Sequence, residues 1–146
     1  MQKLLQTSNE FTLTFARLLL GIVFFAHGAQ KLLGWFGGFG FTATVGAFGK
    51  MGMPLAIAYF AIFVEFFGGL SLIFGLLARL AGLGITAEML GAIATVHFRN
   101  GFFMNWYGLQ KGEGFEYHLL TIAVALLILV RGAGALSLDR MIAAKT

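Results

Sequence analysis

Four apolar runs constrain this chain more than any other feature: residues 11–33, 55–77, 80–98 and 117–136. Each is close to the roughly 20 residues that a helix rising 1.5 Å per residue needs to cross about 30 Å of hydrocarbon. Inside lipid every backbone N–H and C=O must be bonded within the protein, which leaves helices as the natural form of such runs. The expected fold is therefore all-α, a polytopic membrane protein with one four-transmembrane-helix bundle over residues 1–146. Composition agrees. Of 146 residues 59% are hydrophobic and 11% charged, whereas water-soluble domains carry about 25% charged residues. The first run follows Lys3, as a secretory signal would, but it is too long and contains Arg17, so it reads as a retained span.

The links between runs alternate between long and short. Residues 34–54 and 99–116 are long, while the link at Ala78 and Arg79 is short enough to force the second and third runs into an antiparallel hairpin. Pro54 suits the start of a helix, where no N–H is required. All five Trp and Tyr residues, Trp35, Tyr59, Trp106, Tyr107 and Tyr117, fall at the end with the long links, giving a one-sided aromatic belt. Lys3, Arg79, Arg131, Arg140 and Lys145 belong to the other end, against Lys31, Lys50, Arg99 and Lys111 on the belt side. This one-charge excess favours both termini in the cytoplasm. The net charge of +4 is spread along the chain rather than gathered in a run, so nucleic acid is not an expected partner. Cysteine is absent, which excludes disulfides, iron–sulfur ligation and a dithiol relay within this chain.

An ionisable group in a membrane span is costly, faces the bundle interior and marks a candidate site. Here these are Arg17, His27 and Lys31, then Glu65, then Glu88 and His97. At about 100° per residue, Arg17, Gly21, Phe24, Gly28 and Lys31 share one stripe. Ala58, Ala61, Glu65, Gly69 and Leu72 share another, and so do Ala81, Gly84, Glu88, Ala92, Thr95 and Arg99. Small residues permit close helix approach, so these stripes should meet and bring the charges together. Arg17 and Glu88 sit about 9 to 12 Å into the membrane and Glu65 about 18 Å, counted from the Arg79 turn. Arg17 is then expected to pair with one carboxylate and Lys31 to reach inward toward Glu65. One acid left over would need a proton, another cation or a ligand. A purely structural ion pair would fix helix register without chemistry; a proton-transfer or ligand site would centre on Glu65.

His97 lies about 180° from Glu88 on an ideal helix, and His27 about 80° from its own stripe. With His118, Glu113 and Glu116 they would suit haem or a transition metal by residue type. No two have tight ligand spacing on one helix, so no metal site is assigned. The segment GWFGGFG at 34–40 lacks the Lys-Ser/Thr ending and preceding strand of a phosphate loop. Together with Phe102, Phe103 and Trp106 it is expected to form an apolar lid, for which a flat lipid-like ligand would be suited. The order His27, Lys31, Trp35 is faintly echoed by His97, Arg99, Trp106; a duplicated helix pair would explain it, but so would the general likeness of membrane exits, which is the simpler reading.

The strings RLLLGIVFFAHGAQKLLGWFGGFG, GMP, EFFGGLSLIFGLLARL, AEMLGAIATVHFRNGFF and GAGALSLD resemble the DoxX family of small bacterial membrane proteins. That resemblance implies a four-helix inner-membrane bundle related to the DoxD subunit of thiosulfate:quinone oxidoreductase. The matching polar positions are Arg17, His27, Lys31, Glu65, Arg79 and His97. The resulting expectation is a membrane subunit of a redox system that binds a quinone or similar lipophilic carrier. Glu65, Arg17 and Lys31 would be the catalytic groups, and His27, Glu88, Trp35, His97 and Trp106 would contact the ligand. Other redox-enzyme subunits and a second copy of the chain would be its partners besides lipid. A non-catalytic anchor or assembly protein and a small-molecule or proton transporter are the competing readings.

Overall fold

The computed structural model describes residues 2–145, with side chains from residue 4 onward, and contains no strand among them. The Lys3 side chain, counted above among the basic groups of one end, lies outside the described residues. The elements are α1 (Gln2–Leu5), α2 (Phe11–Leu33), α3 (Gly40–Lys50), α4 (Leu55–Phe74), α5 (Ala78–Asn100), α6 (Glu116–Arg131) and α7 (Leu138–Ala143).

Three of these helices, α2, α4 and α5, are long and apolar enough to cross a bilayer. Their outer faces expose large apolar side chains such as Phe15, Ile22, Phe67 and Leu83, as lipid contact requires. The fourth run departs from expectation. Helix α6 stops at Arg131 after 16 residues, about 24 Å, because Gly132 and Gly134 take φ of +88° and +86° and turn the chain out of the helix. Residues 133–136 instead lie over the start of α2. Gly134 N–H donates to Thr7 Oγ1 at 2.6 Å, Ala135 N–H to the Glu10 carbonyl at 3.2 Å and Leu136 N–H to Thr14 Oγ1 at 3.3 Å.

Glycines set how closely α2 and α4 approach. A Cβ at Gly28 would collide with the Phe66 backbone, and one at Gly69 with the Phe25 backbone. The small-residue stripes are thus contact faces. The chain reverses between α4 and α5 through Gly75 and Leu77, at φ +64° and +53°. Leu20, Phe24, Leu72, Ile85, Ala125 and Ile128 form the centre of the core. The first long link is largely helical: α3 lies beside α4, with Phe41 stacked on Tyr59 at 5.4 Å.

One end of the bundle is closed by charged groups bonded to backbone. Arg17, 1% exposed, donates to the carbonyls of Ala133 (2.7 Å), Ile73 (2.9 Å) and Leu136 (2.7 Å), and to that of Leu72. Two of these carbonyls, Leu72 and Ile73, lie in the last turn of α4, where the helical hydrogen-bond ladder runs out. Asp139, also 1% exposed, accepts from the Leu77 and Ala78 N–H groups at 2.7 and 3.0 Å, capping α5 from a distant part of the sequence.

Candidate functional site

The opposite end holds a cavity of about 1240 Å³ between α2, α4, α5 and the start of α6. Its walls are mainly apolar, with ionisable groups contributed by each helix. Two of these helices are locally π-helical, at Val64–Gly68 in α4 and Ile93–His97 in α5. A π turn takes in an extra residue, rotates everything beyond it relative to α register, and is found often at functional sites. Here the first contains Glu65 and the second ends at His97, and both residues line the cavity. The distortion explains why His97 reaches the same space as Glu88 despite their opposed angles on an ideal helix. Thr95 and Arg99, both exposed, line the cavity as well.

Lys31 Nζ, from the last turns of α2, lies 2.6 Å from Glu65 Oε1 and 2.5 Å from Oε2. Glu65 is 10% exposed at its side chain and Lys31 25%, so the pair is shielded on the acidic side and reachable on the basic one. The Glu88 carboxyl meets that of Glu65, and Glu88 Oε2 is buried with no hydrogen-bond partner. One ammonium therefore faces two carboxyls. The cluster is one cation or one proton short of neutrality, and its unoccupied bonding capacity belongs to Glu88.

Arg17 was expected to pair with one of these acids and does not. Its nitrogens bond to carbonyls of the closed end: Leu72 and Ile73 at the end of α4, and Ala133 and Leu136, which the chain reversal after α6 brings to it. The inward-reaching Lys31 supplies the cation instead. His27 lines the cavity from α2. Trp35 and Trp106 do not line it: both are more than half exposed, and Trp106 Nε1 donates to Glu116 Oε1 at 3.1 Å. The mouth is bordered by Phe48, Met51, Met53, Pro54 and Met104, so the short helix α3 and its following turn occupy the place expected for the aromatic lid.

His97 and His118 form the second polar group, with ring centroids 4.1 Å apart. His97 Nδ1 lies 2.8 Å from the Glu113 carbonyl; that oxygen can only accept, so Nδ1 carries the hydrogen. His118 Nδ1 is buried without a partner. Glu113 and Glu116 serve the link between α5 and α6: Glu113 Oε2 accepts from Asn105 N–H at 2.7 Å and Glu116 Oε1 from Met104 N–H at 3.0 Å. Among the described residues no three His or acidic side chains converge as a metal site. The lining also includes Tyr117 of the aromatic belt and four methionines, which carry no sequence signal for a site. Met53 stood beside Pro54 in the GMP string; Met51, Met89 and Met104 gave no periodic signal.

Lipid-facing helices closed at one end and hollow at the other, with buried charges in the hollow, define a helical membrane protein. The DoxX family model matches residues 12–98, a stretch containing Arg17, His27, Lys31, Glu65, Glu88 and His97. The chain is also 33% identical over 132 residues, 90% of this chain and 87% of the other, to "Putative oxidoreductase CatD" of Bacillus subtilis (strain 168). This chain belongs to the DoxX family. No solved structure matches it.

Proposed function

We propose that this protein is a redox-associated subunit of the bacterial inner membrane that holds a lipophilic carrier of the quinone class in the cavity. The observation that carries the proposal is the free Glu88 Oε2 beside the Lys31–Glu65 pair, in a mainly apolar cavity between lipid-facing helices. A quinone head is flat and apolar, with carbonyl oxygens that need hydrogen-bond donors. Those requirements suit a cavity with few convergent polar groups. The relative's name supports a redox setting.

In this reading the carrier supplies the electron chemistry when bound. The protein's residues do the rest. Both Glu65 oxygens are engaged by Lys31, so Glu65 holds the cation in place and the Glu88 carboxyl, in the cavity lining, addresses the ligand, passing or accepting a proton. Lys31, partly exposed, opposes negative charge developing on a ligand oxygen. His27, His97 and His118 border the same space. With no cysteine in the chain, reducing equivalents come from a partner subunit rather than from a dithiol of this one.

The topology proposed with it has α2, α4 and α5 as full spans and α6 with residues 132–136 completing a fourth. The closed, arginine-rich end faces the cytoplasm together with both termini. Quinone extraction from protein purified in mild detergent tests the proposal, with Glu88→Gln as the comparison. Retention by the native chain and a tenfold or greater weakening in the variant are expected. Equal retention by both would remove Glu88 from the site.

A further inference from the structure

A second hollow, of about 560 Å³, lies at the closed end, away from the Lys31–Glu65–Glu88 cluster. It is lined by Arg79, Arg131 and Arg140 and by the Gln6–Ser8 segment, with no carboxylate side chain lining it among the described residues. The three arginines are used differently. Arg79 forms the wall: it donates to the Gln6, Leu129 and Val130 carbonyls at 2.6 to 3.1 Å. Arg131 bonds Glu10 through Nη2 alone, and Arg140 bonds Asn9 and the Ala135 carbonyl through Nη1 alone. A guanidinium has five N–H donors, so these two retain most of theirs beside the hollow. Ser8 Oγ, in the same lining, is buried with no partner. Of the three lining arginines, Arg131 is paired with Glu10, which lies outside the lining.

We infer that this hollow is a binding site for a phosphate-bearing anion. Guanidinium forks match phosphate oxygens in pairs, and basic pockets at the ends of membrane helices take anionic headgroups. Chains exposed at the lipid-facing surface beside it would accept the acyl part of a phospholipid; a soluble phosphate would use the same arginines.

Native mass spectrometry of the full-length protein tests this, with phosphatidylglycerol, phosphatidylcholine and inorganic phosphate added separately. Two variants are compared with the native chain. Arg131→Gln with Arg140→Gln removes the donors; Ala144→Glu sets a carboxylate at the exposed rim without touching any arginine contact. Lys111→Gln, in the opposite-end link, is the control. Preferential retention of phosphatidylglycerol, reduced at least tenfold by both designs and not by the control, supports a lipid headgroup site. The same variant pattern for inorganic phosphate without lipid preference supports a soluble phosphate. Equal retention of phosphatidylcholine and phosphatidylglycerol with no phosphate binding, or no loss in Ala144→Glu, overturns the inference.

Discussion

Lys31 Nζ bridges both oxygens of Glu65, at 2.6 and 2.5 Å, across the α2–α4 interface. The pair links two helices that glycines already bring into backbone contact, and it does so at the inner edge of the cavity. Removing one partner leaves a buried charge without compensation, whereas removing both leaves none. Lys31→Met is therefore expected to cost about 3 kcal/mol. The double change Lys31→Met with Glu65→Met should recover most of that stability without restoring ligand binding. Thermal unfolding in detergent, read beside ligand retention, checks it; a double variant as unstable as the single one would contradict the pairing.

Gly28 allows α2 to touch the Phe66 backbone, inside the π turn that carries Glu65. Gly28→Ala would push backbone against backbone, which has no soft side chain to yield, so a cost at or above about 3 kcal/mol is expected. Gly91→Ala meets open space and should be close to neutral or slightly stabilising. Folded yield by size-exclusion chromatography separates the two.

Much of this arrangement was legible in the sequence, and the reasons for the rest are local. The buried stripes follow helical period, so Gly21, Gly28, Glu65, Gly69 and Glu88 were found where they lie. The Lys31–Glu65 approach followed from depth along two antiparallel helices. Arg17 pairs with no acid because its partners are four backbone carbonyls, two at the end of α4 and two, of residues 133 and 136, supplied by a turn more than a hundred positions away. The π turns were invisible to a fixed 100° step, and with them the route of His97 into the cavity. The early end of α6 was marked by Gly132 and Gly134, whose helix-breaking role an apolar window does not register.

Arg17 holds the closed end rather than the cavity. Arg17→Lys keeps the charge but cannot span four carbonyls, so a loss of about 3 kcal/mol is expected, while ligand affinity of the folded fraction stays within twofold. Calorimetry and ligand titration on the same preparation test both halves; a large affinity loss in well-folded protein would return Arg17 to the ligand site.

Asp139→Ala leaves the Leu77 and Ala78 N–H groups buried without an acceptor. An expected cost of about 2 kcal/mol should appear first as faster amide exchange at the start of α5. Exchange confined instead to α6 would show that the cap matters less than the packing of α7.

The central claim, that the cavity takes a lipophilic quinone through Glu88, is tested most directly by titrating a menaquinone analogue into the purified protein and its Glu88→Gln variant in lipid nanodiscs. Saturable binding of about one analogue per chain, weakened at least tenfold by the substitution, or about 1.4 kcal/mol, is the predicted result. Absence of saturable binding to the native protein, or identical affinity in the two proteins, would contradict it.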